Sequence, residues 1–210
     1  MLLAFDTATP AVTVALHDGV RVVSEHTVVD ARRHGELLAP GIAHVLADAG
    51  LTASNLTAIA VGVGPGPFTG LRVGLVTARV LADALAIPVS GVCTLDILAA
   101  EVVCAEPFVV ATDARRREIY WARYDESGAR VDGPHVDRPA EVGWSGPGVG
   151  SGALMYRDFF AMAHQPRFPS AAVLASMVTQ GAATVLPPDP LYLRRPDAVE
   201  PSARKAVTPV

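Results

Sequence analysis

The chain has 210 residues, half of them hydrophobic and 18% charged, with a net charge of -4. This composition predicts a folded globular protein of one domain or two small lobes. Its acidic balance gives no overall drive toward nucleic acid, so any contact with RNA would be local or made through a partner. Cys93 and Cys104 lack metal-type spacing and fit a reducing compartment. Asp6 interrupts the first apolar run too early for a secretory leader, and no run approaches the ~20 apolar residues that span a bilayer. A cytoplasmic protein with no membrane contact is expected.

Leu2 to Phe5 reads as a short buried strand, and Asp6 to Pro10 as a turn. Val12 to Leu16 alternates, His17-Asp18-Gly19 turns the chain back, and Val20 to Val29 follows, giving an antiparallel meander. The period then changes. Leu37, Leu38, Ile42, Val45, Leu46 and Ala49 share a helical face opened by His34 and Glu36, with Gly50 as a C-terminal cap. Glu36 suits the positive end of that helix without any further role. Ala58 to Val63 is apolar enough to be a central strand.

Gly64 to Gly74, GPGPFTGLRVG, links that strand to a second helix. No Gly-Lys-Ser/Thr follows, and Gly64-x-Gly66 is separated from Gly70 by three residues, so neither a Walker A loop nor a dinucleotide fingerprint is present. Pro65 and Pro67 each remove a backbone N–H that a phosphate cradle would use. A rigid strand-to-helix connection is one reading, and a surface shaped for packing is the other. Leu71, Leu75, Ala78, Ala82 and Leu85 form a stripe spaced four, three, four and three. Val73, Val76 and Val80 lie on other faces, so a partner is expected to cover part of this helix. Pro88 to Val92 is another strand, and Thr94 is positioned to cap a helix from Leu95 to about Val103.

The second half restarts. Phe108 to Thr112 is apolar and ends at Asp113, and Ile119 to Tyr124 is a strand. Val12 lies six residues after Asp6, and Ile119 lies six after Asp113. Strand, Asp, turn, strand thus occurs twice, as in two related lobes. The copy is incomplete, with a Gly-rich connection at Ser145 to Gly152 and one further helix within Ser170 to Leu186. The expected division is 1–103 for an N-terminal lobe, 104–190 for a smaller second lobe and 191–210 for a Pro-rich basic tail. From Pro187 onward the composition predicts a frayed end with a Leu191-Tyr192-Leu193 anchor, or a basic segment touching RNA phosphates.

No pair of histidines has metal-helix spacing, and no H-E-x-x-H or G-x-S-x-G occurs. Asp6 and Asp113 each end a strand. They either close their turns through backbone N–H groups or, with Thr7 and Thr9, mark a vestigial nucleotide site.

FDTATPAVTVAL, RRHGELLAP, AIAVGVGPGPFTGLRVGLVTARVLADALAIPVSGV, DARRREIYWARY and PLYLR together resemble the TsaB (YeaZ) family over most of residues 1–195. The resemblance implies an α/β, actin-like or sugar-kinase-like (ASKHA) two-lobed fold, with a mixed five-stranded sheet and helices in the first lobe. It implies a helper subunit for threonylcarbamoyladenosine synthesis on tRNA. In that chemistry the related TsaD transfers a threonylcarbamoyl group to N6 of an adenine next to the anticodon. TsaD carries an H-x-x-x-H metal motif whose two positions map here to Thr94 and Leu98, and neither replaces an imidazole. The implied partners are TsaD and TsaE homologues, a second copy of the chain when TsaD is absent, and tRNA only through the complex. His34, Glu36, Leu37, Phe68, Thr69, Gly70, Leu71, Arg72 and Gly74 are the expected partner surface, with Gly70 and Gly74 letting a partner helix approach. No cofactor or metal is expected, beyond weak or interface-bound ATP or ADP. The alternatives are an ATPase or small-molecule kinase using Asp6, Thr7, Thr9 and Asp113, and a glycoprotease-type peptidase.

Overall fold

The computed structural model describes residues 1–194. The meander expected at the N-terminus forms β1 (Leu2–Asp6), β2 (Ala11–His17) and β3 (Val22–Val29). Helix α1 (His34–Asp48) follows, then β4 (Ala58–Gly62), α2 (Phe68–Leu85) and β5 (Val89–Val92), in a sheet ordered β3-β2-β1-β4-β5. β1 pairs antiparallel with β2 and parallel with β4. Every residue of β1 and β2 is buried, because both faces of the sheet are covered.

Period-two alternation divides the work of those strands. Leu3, Phe5, Val14 and Leu16 face α1 and α2, where Leu38, Val45, Leu71 and Leu75 meet them. Leu2, Ala4, Ala15 and Ala60 face the other way. Their small side chains leave room for α5 (Ala171–Thr179), which packs there through Ala171, Leu174 and Ala175. Ser170 caps α5, accepting from the Ala172 and Val173 N–H groups. The helix lies within the Ser170 to Leu186 span expected from sequence, and Gly181 at φ +68° follows its end. Likewise Gly50 sits at φ +66° just past the end of α1, as expected.

The internal repeat is present in full as strands. β6 (Phe108–Asp113), β7 (Ile119–Tyr124), β8 (Arg130–Asp137), β9 (Gly148–Val149) and β10 (Ala163–His164) form a second sheet ordered β10-β9-β6-β7-β8. Reading that order backwards reproduces the first sheet strand for strand. This is the two-lobed actin-like arrangement that the sequence pattern and the family resemblance predicted. What is reduced is the helical cover: only α4 (Ser151–Met155) stands where the first lobe has α2.

Helix α3 (Thr94–Ala100) joins the lobes. Cys93, Leu95 and Leu98 pack on Phe108, Val110 and Tyr124 of the second sheet, while Ile97 belongs to the α5 side. At its end Glu101 Oε1 accepts the Ser170 N–H at 2.8 Å, tying α3 to the cap of α5. Burial pushes the Glu101 carboxyl up to about 7; the Ser170 bond opposes the shift and nearby Glu25 adds to it. A carboxyl that titrates higher in the folded state stabilises the fold below its unfolded value, 4.5, and that contribution is lost as pH rises through about 7. Glu101→Gln keeps the acceptor and removes the charge. Thermal melts should show near-equal stability around pH 4.5, and a variant more stable by about 1 kcal/mol above neutral pH. That magnitude is kept small because water screens a partly exposed group. A difference independent of pH would remove this role from Glu101.

The segment after α5 is not frayed over its described length. Leu186 exchanges backbone hydrogen bonds with Gly91 at 2.8 and 2.9 Å, extending the β5 edge, and the Leu191 N–H donates to the Val63 carbonyl at 2.9 Å. Tyr192 stacks on Phe68 with ring centroids 4.3 Å apart and accepts from Arg72 Nε at 2.9 Å. Arg79 pairs with Asp189. The remaining part of the proposed basic tail, 195–210, lies outside the described residues.

Candidate functional site

Asp6 ends β1 and is completely buried. Its Oδ1 accepts the Ala8 N–H at 2.8 Å and its Oδ2 accepts the Thr94 hydroxyl at 2.6 Å. Thr94 Oγ1 in turn accepts the Gly64 N–H at 3.1 Å. Burial pushes the Asp6 carboxyl above its usual range, while the Thr94 and Ala8 bonds pull the other way. Gly62 lies against the carboxylate so closely that any Cβ there would collide with Oδ2. Asp6 therefore serves as a hub joining the β1 turn, the Gly-Pro loop and the start of α3. Thr94 is not the cap of α3, as expected from sequence. Cys93 occupies that position and the Thr94 hydroxyl is turned to Asp6. Leu98, the other position compared with the metal motif, is fully buried on the second sheet.

The neighbouring hydroxyls are also tied inside the chain. Thr7 Oγ1 donates to the Gly70 carbonyl at 2.8 Å, and Thr9 Oγ1 accepts the Ala11 N–H at 3.3 Å. His34 is buried, and its Nε2–H donates to the Thr9 carbonyl at 2.7 Å. Asp113 stands at the matching end of β6 but is less enclosed. Its Oδ1 accepts the Arg115 N–H at 2.8 Å, and Oδ2 lies 3.3 Å from Arg115 Nη1. So Asp6, Thr7 and Thr9 come together, while Asp113 belongs to the opposing turn. Both carboxylates close their own turns.

The expected partner surface divides in two. Glu36, Thr69 and Arg72 are exposed, and Leu37 and Phe68 are half-buried. Leu71, by contrast, is 0% exposed and lies in the first core, so it is not an outward anchor. Gly70 and Gly74 are buried as well. A Cβ on either would strike Thr7, so their smallness admits the β1 turn of this chain, not a partner helix. His34 is spent on Thr9. What α2 does present outward is Val76 and Val80, 57% and 60% exposed, along with the exposed Arg72 and Arg79. Beside them α1 exposes Gly35, Ala39 and Ala43, one small residue per turn. The valines were legible in the sequence as apolar positions off the stripe. The α1 residues carried no such signal, because small residues suit a core equally.

Among the described residues, no group of three His, Cys, Asp or Glu side chains is arranged to hold a metal ion. No helix among them is long and apolar enough to cross a membrane.

Comparison with known proteins agrees with this architecture. The family model for TsaD, tRNA N6-adenosine threonylcarbamoyltransferase, matches residues 22–185. An uncharacterized protein of Mycobacterium tuberculosis is 48% identical over 202 residues, which cover 94% of this chain and 93% of that protein. The tRNA threonylcarbamoyladenosine biosynthesis protein TsaB of Escherichia coli is 39% identical over 133 residues, 60% of this chain and 57% of that protein. YeaZ from Pseudomonas aeruginosa superposes with a TM-score of 0.76 at 33% identity, covering 91% of this chain and 99% of YeaZ. With the repeated sheet, the Gly-Pro loop and these relatives in agreement, the chain belongs to the TsaB/YeaZ family, related to TsaD.

Proposed function

We propose that this protein is a noncatalytic subunit for threonylcarbamoyladenosine synthesis on tRNA, docking a TsaD homologue on the outer face of α1 and α2. The observation that carries this reading is the exposed pair Val76 and Val80 beside the small-residue line of α1. Apolar side chains in a row on two adjacent helices suit a helix pair from a partner, since small residues let helix axes come close. The named TsaB relatives supply the pathway. TsaE joins the complex, tRNA is met only through it, and a second copy of the chain covers the same face when TsaD is absent. The work is cytoplasmic.

The noncatalytic part rests on residues, not on vacancy. Thr94 and Leu98 are a hydroxyl committed to Asp6 and a core side chain. The Cys93 thiol is buried and pushed up to about 12 by that burial and by Asp96, which leaves it a poor nucleophile for a peptidase. Asp6 is walled off from any nucleotide, which supports the turn-closing reading over a kinase or ATPase; ATP or ADP would bind weakly or at the partner interface.

Reconstitution tests this. TsaD and its accessory proteins, supplied with tRNA, threonine, bicarbonate and ATP, should form modified adenosine only when this chain is added. The chain without TsaD should form none. Modification by this chain alone, or full modification without it, would overturn the assignment.

A further inference from the structure

We propose that His26 and His44 form a surface site for a borderline divalent cation of the zinc or nickel class, bridging β3 and α1. The two imidazoles lie with ring centroids 4.5 Å apart and planes inclined at 46°. Metal–nitrogen bonds of ~2.0–2.1 Å bring two imidazoles on one cation to a centroid spacing of about 4.5–5 Å, so little side-chain movement is needed. His17, His34 and His135 each have a hydrogen-bond partner, at 3.0, 2.7 and 2.8 Å. Neither His26 nor His44 has one among the described residues, and their ring contact is with each other. Both pairs of ring nitrogens are therefore uncommitted, and neutral imidazole is a donor that such cations favour.

Rigid elements place the pair. His26 sits opposite Val14 in the β2–β3 ladder. His44 follows Gly41 by three residues on α1, so the two share a helix face. Gly41 lets the helix come this close: a Cβ there would lie 3.3 Å from Val14 and 3.5 Å from His26 Cδ2. Further along the same seam the Ser24 hydroxyl donates to Asp48 Oδ2 at 3.0 Å. Ser24 is two residues before His26 on the strand, and Asp48 four after His44 on the helix, so this bond clamps the two imidazoles' elements together. Asp48 also sets a carboxylate beside the pair, and the negative end of α1 lies on that side; both favour a cation. His44 is exposed and His26 half-buried, so an ion reaches them from solvent. The site has two protein ligands, one fewer than the three-residue groups that are absent among the described residues. Water fills the remaining positions. Magnesium and calcium, which take oxygen ligands, do not suit it.

Metal binding is read on the full-length, untagged chain without TsaD, so it stands or falls apart from the docking role. Calorimetric titration at a pH above the ordinary imidazole value of ~6.5 should show saturable binding of one zinc or nickel ion per chain. The melting temperature should rise with zinc concentration, because the ion holds the folded seam together. Magnesium should give no saturable heat. His26→Gln and His44→Gln should each weaken zinc binding at least tenfold, since a single imidazole cannot chelate. His44→Gln, at the exposed member, should leave the metal-free melting temperature unchanged. His164→Gln, at an exposed histidine of the second sheet, should leave zinc binding unchanged. Copper(II) should selectively broaden the imidazole NMR signals of His26 and His44, a reading that needs no variant to fold. No saturable zinc or nickel binding, binding untouched by both the His26 and His44 variants, magnesium binding as strong as zinc, or copper broadening centred on other histidines would overturn the site.

Discussion

Leu71→Glu should leave this protein unable to fold. Leu71 is fully buried in the first core, beneath the Gly-Pro loop. Losing its side chain from that core costs about 1.5–3 kcal/mol. A carboxylate left unpaired in the same place costs several kcal/mol more. The sum reaches the lower end of the ~5–15 kcal/mol that holds a domain together. Circular dichroism at neutral pH should show loss of the cooperative transition, and most of the chain should be insoluble. Leu71→Ala, expected to cost ~2–5 kcal/mol, should fold with a lowered melting temperature. A native-like melt for Leu71→Glu would place Leu71 at the surface and return it to the partner face.

Val76→Glu combined with Val80→Glu should do the reverse, sparing the fold and abolishing docking. Both valines are more than half exposed, so surface substitution should change stability by no more than about 0.5 kcal/mol. In a complex that covers α2, two carboxylates would be desolvated against apolar partner atoms. Affinity for TsaD should fall at least a hundredfold, about 2.7 kcal/mol. Titration of TsaD with the double variant reads this directly, and modified adenosine in the reconstituted system should fall with it. Binding at wild-type strength by the folded variant would show that TsaD docks elsewhere.

These two experiments rest on opposite faces of one helix, and the sequence contained most of the distinction. Leu71, Leu75, Ala78, Ala82 and Leu85 form the inward stripe that periodicity predicted, and the structure buries the first four and half-buries Leu85 against the same core. Leu71 was thus already assigned to the core by its spacing. Expecting it to serve as a partner anchor as well asked one side chain to face two ways. The exposed Val76 and Val80 are the residues the stripe left out. Phe68 and Arg72 are engaged by Tyr192, a contact across 120 residues that no local pattern encodes.

By itself the sequence determined the meander, the first two helices, the repeated strand-Asp-turn and the family, because each rests on local periodicity, turn chemistry or ordered motifs. The end of the repeat was hidden, since β9 and β10 have two residues each and are too short to alternate. Tertiary structure alone decided that α5 returns to the first sheet, where Ala4, Ala15 and Ala60 leave it room. It alone joined Thr94 to Asp6 across 88 residues, because a buried carboxylate must find its donors wherever the fold supplies them. And it alone set His26 against His44, a juxtaposition that exists only once a separately encoded strand and helix are packed face to face.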